Sequence, residues 1–297
     1  MRGEPKFVCK QPRPDASVAS PRFEDQRLVD ELFDAGAAYW NDVYESGNAR
    51  GVVYRRRLSR ALAWLDRLQL RPDSAVLDLG CGTGYGSVAL AERGYSVTAT
   101  DRVEAMLAAT RRRAAASAAP DRITTAHGDA QDLPFESGTF DVVVALGVLP
   151  WLPSPTQGLR EMARVLRPEG YVVASADNRA ALVGFFEPLE NPLLAPAKLA
   201  AKKALQRLRL RNPIAGRRAP LSRRQLQRLV AAEGLDVLAA TTIGFGPFTV
   251  FRRSVLPERV GLWLDRRLQA AADRGAAFAR FAGAQHLFLA QKRDEHR

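Results

Sequence analysis

The chain has 297 residues and a formal net charge of +12, with 46% hydrophobic and 26% charged residues. This composition is typical of a folded globular protein and excludes disordered, collagen-like and coiled-coil chains. No apolar run reaches the roughly 18 residues that a transmembrane helix needs, and the N-terminal residues lack the apolar stretch of a secretory signal. Cys9 lies in a polar tail and the other cysteine is Cys81, so we expect a cytoplasmic protein without a disulfide. We predict no metal site.

The predicted elements alternate between strands and helices through the middle of the chain. Residues 1–22 are predicted to be disordered, 23–50 to form short aromatic-rich helices and 53–69 to form an amphipathic helix. The following strands are predicted at 75–79, 95–100, 123–126, 140–146 and 171–175, and the intervening helices at 84–93, 103–117 and 156–167. This alternation predicts an α/β fold with a doubly wound, mostly parallel sheet.

The last third of the chain departs from this alternation. Residues 179–220 read as a long insertion rich in proline, and Ser222 with Gln225 predicts a capping box at the start of a helix. Two more strands are predicted at 235–242 and 285–290, with a helix at about 257–280 between them. The predicted divisions are a disordered tail (1–22), an N-terminal helical cap (23–70), an α/β core (71–178), a basic helical insertion (179–220) and the remainder of the sheet (221–297) with a helical insertion at about 252–283.

The motif VLDLGCGTGYG, at 76–86, lies where the first strand of the sheet turns into a helix. Its glycines at 80, 82 and 84 allow the backbone to turn tightly and to approach a ligand. The spacing G-x-G-x-G differs from the dinucleotide fingerprint G-x-G-x-x-G, which argues against a nicotinamide dehydrogenase. Asp78, inside the strand end, suits an amine-bearing ligand better than a pyrophosphate.

Two further carboxylates follow the next two strands. Asp101 ends the second strand, where an acidic residue hydrogen-bonds a ribose diol. Asp129 follows the third strand in the segment Gly-Asp-Ala, where it can accept from an adenine amino group. Together these residues describe a site for an adenosine that bears an amino acid and no phosphates.

At these residues the chain resembles class I S-adenosylmethionine-dependent methyltransferases, especially the small-molecule branch that includes quinone-biosynthesis enzymes. The resemblance covers about residues 50–176. It is carried by the glycine motif at 76–86, Asp101, GDAQDLPF at 128–135, FDVVVALGVLPWL at 140–152 and LREMARVLRPEGYVV at 159–173. It implies a seven-stranded sheet whose last strand is antiparallel.

The resemblance also implies roles in binding S-adenosylmethionine. The methionine moiety is expected against Gly80, Cys81, Gly82 and Gly84, and its ammonium near Asp78. The ribose hydroxyls are expected on Asp101, the adenine beside Arg102, Asp129 and Ala130, and the floor of the site at Leu146.

One departure from the family bears on catalysis. Many relatives carry histidine after the fourth strand, whereas this chain has Val148–Leu149–Pro150–Trp151 there. None of the three histidines, His127, His286 and His296, is expected to be catalytic, and the sequence names no general base.

Aromatic side chains after the strand ends are candidates for an acceptor pocket, because ligands of open α/β sheets bind at the carboxyl ends of strands. The predicted pocket residues are Tyr44, Trp151, Phe185 and Phe245. For Trp40, Tyr44 and Tyr54 the resemblance implies a cap over the cofactor, and core packing is the alternative.

The positive charge is concentrated in one segment. Between 191 and 232 there are eleven basic residues and no acidic one. Residues 191–228 are predicted either to contact an anionic membrane surface or to form a solvated lid; RNA binding is disfavoured because aromatics do not interleave with the charges.

We therefore expect an S-adenosylmethionine-dependent methyltransferase that modifies a small apolar or amphipathic acceptor, at oxygen or carbon. The alternatives are a tRNA or rRNA methyltransferase and a catalytically silent S-adenosylmethionine-binding protein. The acceptor and the oligomeric state are left open by the sequence.

Overall fold

The structure is a computed structural model that describes residues 21–187, 191, 220–246, 248–250 and 253–294. Its strands are β1 (Ala75–Leu79), β2 (Ser96–Asp101), β3 (Ile123–His127), β4 (Phe140–Ala145), β5 (Leu166–Asp177), β6 (Leu235–Ile243), β7 (Thr249–Val250), β8 (Arg253–Ser254) and β9 (Gln285–Lys292). Its helices are α1 (Pro21–Ala35), α2 (Ala37–Glu45), α3 (Ala49–Arg67), α4 (Tyr85–Ala91), α5 (Glu104–Ala115), α6 (Pro155–Val165), α7 (Leu182–Phe186), α8 (Arg223–Ala232), α9 (Glu258–Asp273) and α10 (Ala279–Ala282).

Seven of the described strands form one sheet in the order β3-β2-β1-β4-β5-β9-β6. Neighbouring strands from β3 to β5 are parallel, and β9 runs antiparallel between β5 and β6. The α/β, doubly wound fold is therefore confirmed, including the antiparallel last strand.

Consecutive strand residues point to opposite faces of the sheet, and helices cover both faces. Leu77 and Val143 pack on the face that α6 and α8 cover. Val76 and Val142 pack on the opposite face, against Leu65 of α3. Helix α3 thus joins the N-terminal helices to the core and positions its polar side chains near the strand ends.

Several predicted boundaries differ from those observed. Helix α1 begins at Pro21, inside the tail predicted at 1–22, and residues 1–20 lie outside the described residues. The helix predicted at 156–167 ends at Val165, and β5 begins at Leu166 because this strand pairs with Phe140 before a bulge. The helix predicted at about 257–280 is divided into α9 and α10, with Gly275 at φ +83° between them.

The β7–β8 hairpin was not predicted, since each strand has only two residues. The capping box of Ser222 and Gln225 is confirmed. Most of the basic segment 191–228, namely 192–219, lies outside the described residues.

Candidate active site

The glycine loop after β1 takes a backbone path that needs glycine. Gly80 and Gly82 have φ of +66° and +56°, in the left-handed region that side chains disfavour. A Cβ on Gly80 would lie 2.5 Å from Val148 Cγ2. The N–H groups of Gly80 and Cys81 donate to the Thr100 carbonyl, at 2.7 and 3.1 Å, which fixes the loop to the end of β2. The loop therefore places Gly80, Cys81 and Gly82 along a cleft at the carboxyl ends of the strands.

Gly84, by contrast, does not line this cleft. It precedes α4 with φ +83°, and a Cβ there would lie 3.0 Å from Thr110 Cα of α5. The structure therefore gives Gly84 a packing role between two helices, and its contact with a methionine moiety stays a prediction.

Asp101 lies at the end of β2 and lines the cleft. Its Oδ2 accepts from the Gly82 N–H and its Oδ1 from the Val103 N–H, both at 3.0 Å. Burial raises the pKa of Asp101, and these backbone donors oppose the shift. The carboxylate is thus held in one orientation, with its remaining acceptor capacity available to a ligand.

Asp78 lies beneath the loop instead of along the cleft. It is 4% exposed, and its Oδ2 accepts from Ser87 Oγ at 2.6 Å. Burial raises the pKa of Asp78 to about 6, and the nearby charge of Asp101 adds to the increase. A cation approaching the loop would stabilise this buried carboxylate in its ionised form.

The next group of side chains joins the third strand to the first helix. Arg102 donates from Nε to Asp30 Oδ2 at 2.7 Å and from Nη1 to Asp129 Oδ2. Asp129 Oδ1 accepts from the Gln131 N–H at 2.9 Å. Arg102, Asp129 and Ala130, which were predicted to lie beside the adenine, all line the cleft. One carboxylate oxygen of Asp129 is already hydrogen-bonded to Arg102. We call this part of the cleft, with Asp30, Asp101, Arg102 and Asp129, the carboxylate end.

Gln26 of α1 adds a feature that the sequence did not indicate. Its Nε2 donates to Asp30 Oδ1 at 3.1 Å, while its buried Oε1 has no hydrogen-bond donor among the described residues. Gln26 lines the cleft beside the carboxylate end. The site thus has an unused acceptor where a ligand N–H can bind.

Aromatic rings form a continuous row along the cleft. The centroid separations of successive pairs are 5.0 Å for Trp151–Phe33, 5.3 Å for Phe33–Trp40, 5.8 Å for Trp40–Tyr54, 5.7 Å for Tyr54–Tyr44 and 4.5 Å for Tyr44–Tyr85. The predicted pocket residues Tyr44 and Trp151 belong to this row. Phe33 and Tyr85 were missed, since nothing in their local pattern separates them from core residues.

Arg57 of α3 is the most unexpected residue of the cleft. Its relative exposure is 3%, and its guanidinium carbon lies 4.7 Å from the centre of the Tyr54 ring. Nη1 donates to Gln285 Oε1 at 3.4 Å, and the buried Nε has no acceptor among the described residues. The amphipathic pattern of α3 gives no signal for this position, because it depends on the distant residues of β9.

Gly147, directly after β4, makes room for that guanidinium. It has φ +90°, and a Cβ there would lie 2.8 Å from Arg57 Nη1. Its N–H donates to Ser175 Oγ at 2.8 Å, which fixes the loop. We call this part of the cleft, with Tyr54, Arg57 and Gly147, the arginine end.

The whole cleft encloses about 1060 Å³, part of it open to solvent, and Leu146 and Val148 also line it. That volume accommodates both a nucleoside-sized ligand and a second small molecule. Carboxylates and the buried guanidinium of Arg57 line the same cleft, so the cleft offers partners to both positive and negative groups of a ligand.

Two predicted pocket residues do not reach the cleft. Phe245 is fully buried against Ala272, Ala279 and Ala282, because its N–H is anchored by Asp265 Oδ1 at 2.7 Å. Phe185 lies on the short helix α7 and is 43% exposed. Neither lines the described cleft, and their assignment to an acceptor pocket stays a prediction, whereas Trp151, chosen by the same strand-end rule, does line the cleft.

Histidine does not line the cleft in the described part of the chain. His127 is exposed and bonds the Arg102 carbonyl at 2.9 Å. His286 lies in β9, where burial lowers its pKa to about 4, so the ring is neutral at pH 7. His296 falls outside the described residues. Nor do three or more His, Cys, Asp or Glu side chains of the described residues gather as a metal site does.

The sequence of this region matches a known family. The segment 77–174 fits the family described as methyltransferase domain. Residues 77–174 are a methyltransferase domain. The matched segment runs from β1 through most of β5 and contains the glycine loop, Asp101, Asp129 and Gly147.

Named relatives share this domain. Demethylmenaquinone methyltransferase of Clavibacter sepedonicus is 45% identical over 98 residues, 33% of this chain and 39% of that protein. Ubiquinone biosynthesis O-methyltransferase of Pseudomonas aeruginosa PAO1 is 40% identical over 118 residues, 39% of this chain and 50% of that protein. The chain spans about half the length of the curated relatives it matches.

Solved structures share the fold outside the methyltransferase domain as well. Magnesium protoporphyrin IX methyltransferase of Synechocystis with bound S-adenosylhomocysteine has a TM-score of 0.60 at 16% identity, over 90% of this chain and 99% of that one. The cyclase SpnF has a TM-score of 0.60 at 19% identity, over 91% and 96%. At such low identities the likeness establishes the architecture alone. Within the described residues, none of the helices has both the length and the apolar character needed to cross a bilayer.

Proposed function

We propose that the chain transfers a methyl group from S-adenosylmethionine to a small aromatic or amphipathic acceptor. The observation that carries this proposal is the fixed carboxylate of Asp101 beside the glycine loop, in a cleft that continues into a row of aromatic rings. The named relatives, which are quinone-biosynthesis methyltransferases, support the same reaction class.

The residues of the carboxylate end fit the cofactor. Asp101 would accept from the ribose hydroxyls, and the cradle of Gly80 and Gly82 would hold the methionine moiety. The unused Oε1 of Gln26 is an acceptor for an amino group such as that of adenine. Asp78, beneath the loop, favours the positive charge of an ammonium through its buried carboxylate.

When bound, S-adenosylmethionine supplies a methyl group already activated on a sulfonium sulfur. The protein therefore has to orient the acceptor and exclude water. The aromatic row from Trp151 to Tyr85 provides an apolar wall for a planar acceptor, and orientation at about 3–3.5 Å lowers the barrier by several kcal/mol. Oxygen or carbon is the proposed methylated atom, and one relative named as an O-methyltransferase supports oxygen.

The first experiment is calorimetric titration of the purified chain with S-adenosylhomocysteine. We expect a micromolar dissociation constant with one site per chain. A panel of hydroquinones, phenols and aromatic acids is then incubated with S-adenosylmethionine and each reaction is assayed for S-adenosylhomocysteine. Binding without turnover on the whole panel supports the silent cofactor-binding alternative, and no binding overturns the proposed function.

We also propose that 191–228 contacts an anionic membrane surface, where a lipophilic acceptor would be found. The described end of this segment supports the proposal, because Arg223, Arg224 and Arg228 are all exposed on α8. Sedimentation with phosphatidylglycerol vesicles should remove the protein from solution, whereas phosphatidylcholine vesicles should not. Equal sedimentation with both vesicles, or with neither, contradicts the proposal.

A further inference from the structure

Helix α9 places its negative and positive side chains in different surroundings. Asp265 is 2% exposed and accepts from Arg56 Nη1 at 2.7 Å. Asp273 pairs with Arg60 Nη2 at 2.8 Å. Three arginines of the same helix are exposed and form no ion pair with any described residue, namely Arg259, Arg266 and Arg267. The helix therefore pairs these two carboxylates with α3 and presents unpaired positive charge to solvent.

An exposed tryptophan lies at the centre of these arginines. Trp263 is 57% exposed, more than any of the other three tryptophans. At about 100° per helical residue, Arg259 and Arg266 lie on one side of Trp263. Val260, which is 45% exposed, lies on the other side with Arg267, whose guanidinium carbon is 5.4 Å from the centre of the Trp263 ring. We call these five residues the Trp263 face.

The chemistry of the Trp263 face matches that of an anionic bilayer surface. An indole has an apolar body and one N–H donor, which suits the boundary between headgroups and acyl chains. Arginines beside it bind lipid phosphates while their methylene chains lie along the apolar boundary. A single-stranded nucleic acid would use the ring and the arginines but not the exposed Val255 and Val260, since bases bind by stacking on aromatic rings. The apolar neighbours therefore favour lipid as the partner.

We propose that the Trp263 face docks on an anionic lipid bilayer, with its indole among the headgroups and its arginines on lipid phosphates. The inference goes beyond the proposed function, because it assigns a membrane contact outside the segment 191–228. The described end of that segment adjoins the same part of the chain, since the Arg223 guanidinium carbon lies 5.0 Å from the centre of the Phe281 ring of α10.

Docking through α9 would also orient the cleft. The ion pairs of Asp265 and Asp273 attach α9 to α3, and α3 supplies Tyr54 and Arg57 to the lining of the cleft. A bilayer bound to the Trp263 face would therefore hold the cleft in one orientation relative to the lipid.

Brominated lipids test the insertion of the indole, because bromine quenches a tryptophan only at close range. The protein is mixed with vesicles of equimolar phosphatidylglycerol and phosphatidylcholine whose acyl chains are brominated near the headgroup, and vesicles without bromine give the reference. Tryptophan emission should fall on binding, and Trp263→Phe should remove most of that decrease. The other tryptophans line the cleft, as Trp40 and Trp151 do, or are buried, as Trp64 is.

Sedimentation with the vesicles without bromine then measures affinity. Trp263→Ala should weaken vesicle binding about tenfold, because a large apolar side chain is lost from the interface. Arg266→Gln should weaken it about fivefold, the effect of one basic residue at an anionic surface. The matched controls are Leu238→Ala on β6, where the side chain is 53% exposed, and Arg71→Gln at an exposed position ahead of β1. Both controls should stay within about twofold of the unmodified chain.

Three outcomes overturn the inference. They are an unmodified chain without quenching, quenching that persists in Trp263→Phe, and vesicle affinity that is unchanged in both Trp263→Ala and Arg266→Gln. Sedimentation that survives these substitutions assigns the membrane contact to 191–228 alone. Binding of polyuridylate with a change in Trp263 emission, and no binding of vesicles, assigns the face to nucleic acid and also overturns the inference.

Cofactor binding separates this inference from the proposed methyl transfer. The affinity for S-adenosylhomocysteine should stay within about twofold in every variant, since none of the substituted residues lines the cleft. Quenching of Trp263 in a chain that binds no S-adenosylhomocysteine supports the inference and overturns the proposed methyl transfer. Because quenching in the unmodified chain is decisive by itself, a variant that fails to fold does not prevent the test.

Discussion

The two ends of the cleft are built in different ways. The carboxylate end takes Asp101, Arg102 and Asp129 from a short stretch of chain after two adjacent parallel strands. The arginine end combines Arg57 of α3, Gly147 after β4 and Gln285 of β9, which lie far apart in the sequence. The carboxylate end follows from a local sequence motif, and the arginine end depends on tertiary contacts that no local motif indicates.

The largest expected effect is on stability, and it distinguishes Arg56 from Arg57. Arg56→Met should lower the free energy of unfolding by about 3 kcal/mol, because it leaves the buried Asp265 carboxylate without its cation. Arg57→Met should change it by less than about 1 kcal/mol or increase it, since no ion pair is lost. Urea denaturation of both variants measures the difference, with Arg67→Met as the control. A loss of about 3 kcal/mol in Arg57→Met would mean that this arginine is structural.

At the carboxylate end, Asp101→Ala should weaken S-adenosylhomocysteine binding by about 30- to 100-fold, or roughly 2–3 kcal/mol. The substitution removes the ribose acceptor and leaves the Gly82 and Val103 N–H groups without their partner. Calorimetry measures the effect, and Asp121→Ala, at an exposed site, is the control. An affinity within twofold of the unmodified chain would show that the cofactor binds elsewhere.

The ionisation of Asp78, beneath the glycine loop, should make the stability of the chain depend on pH. Burial raises the pKa of Asp78 from 3.8 to about 6. Between about pH 4 and 6 this carboxyl group is therefore more protonated in the folded state than in the unfolded state. The contribution of Asp78 to the free energy of unfolding therefore falls as the pH rises through that window. Asp78→Asn should stabilise the ligand-free chain by about 2 kcal/mol at pH 7 and remove this part of the pH dependence.

The same substitution should weaken S-adenosylhomocysteine binding about fivefold at pH 7.5, because the ammonium loses a buried counter-charge. Denaturation and calorimetry across pH 4–8 measure both properties. Stability and affinity that move in the same direction would exclude the role of Asp78 as a ligand-directed charge.

The smallest expected effect tests where the aromatic row acts. Trp40→Leu should weaken the binding of an acceptor identified with the panel about threefold to fivefold in protein saturated with S-adenosylhomocysteine, because one ring of the row is lost. The affinity for S-adenosylhomocysteine itself should change less than twofold. The reverse pattern would assign Trp40 to the cofactor, as a cap over it.

The sequence predicted the fold and the carboxylate end because both depend on short-range patterns. Alternating strands and helices determine the parallel sheet, and the strand ends bring the glycine loop, Asp101 and Asp129 to one edge. The same reasoning gave Gly84 a ligand contact that stays a prediction, and the structure adds a packing contact with Thr110 of α5. A glycine in a motif can serve helix packing as well as ligand approach.

The arginine end was not predicted, since helical periodicity indicates which face of a helix is buried but not which residues pack against it. Arg57 lies one residue from Arg56, and both are polar positions of an amphipathic helix in the sequence. Only the tertiary structure shows that Arg56 forms an ion pair with Asp265 and that Arg57 lines the cleft. Phe245 shows a second limit of local patterns, because its ring follows a strand end but is directed into a separate apolar cluster.

Arg57 and Gly147 also constrain one another through evolution. Any side chain at 147 would occupy the space of the guanidinium, and any residue other than glycine would be strained at φ +90°. The arginine can thus be inherited only together with the glycine, although the two are encoded ninety codons apart. Among chains of this architecture, those that carry an arginine at this position of the helix should therefore also carry the glycine.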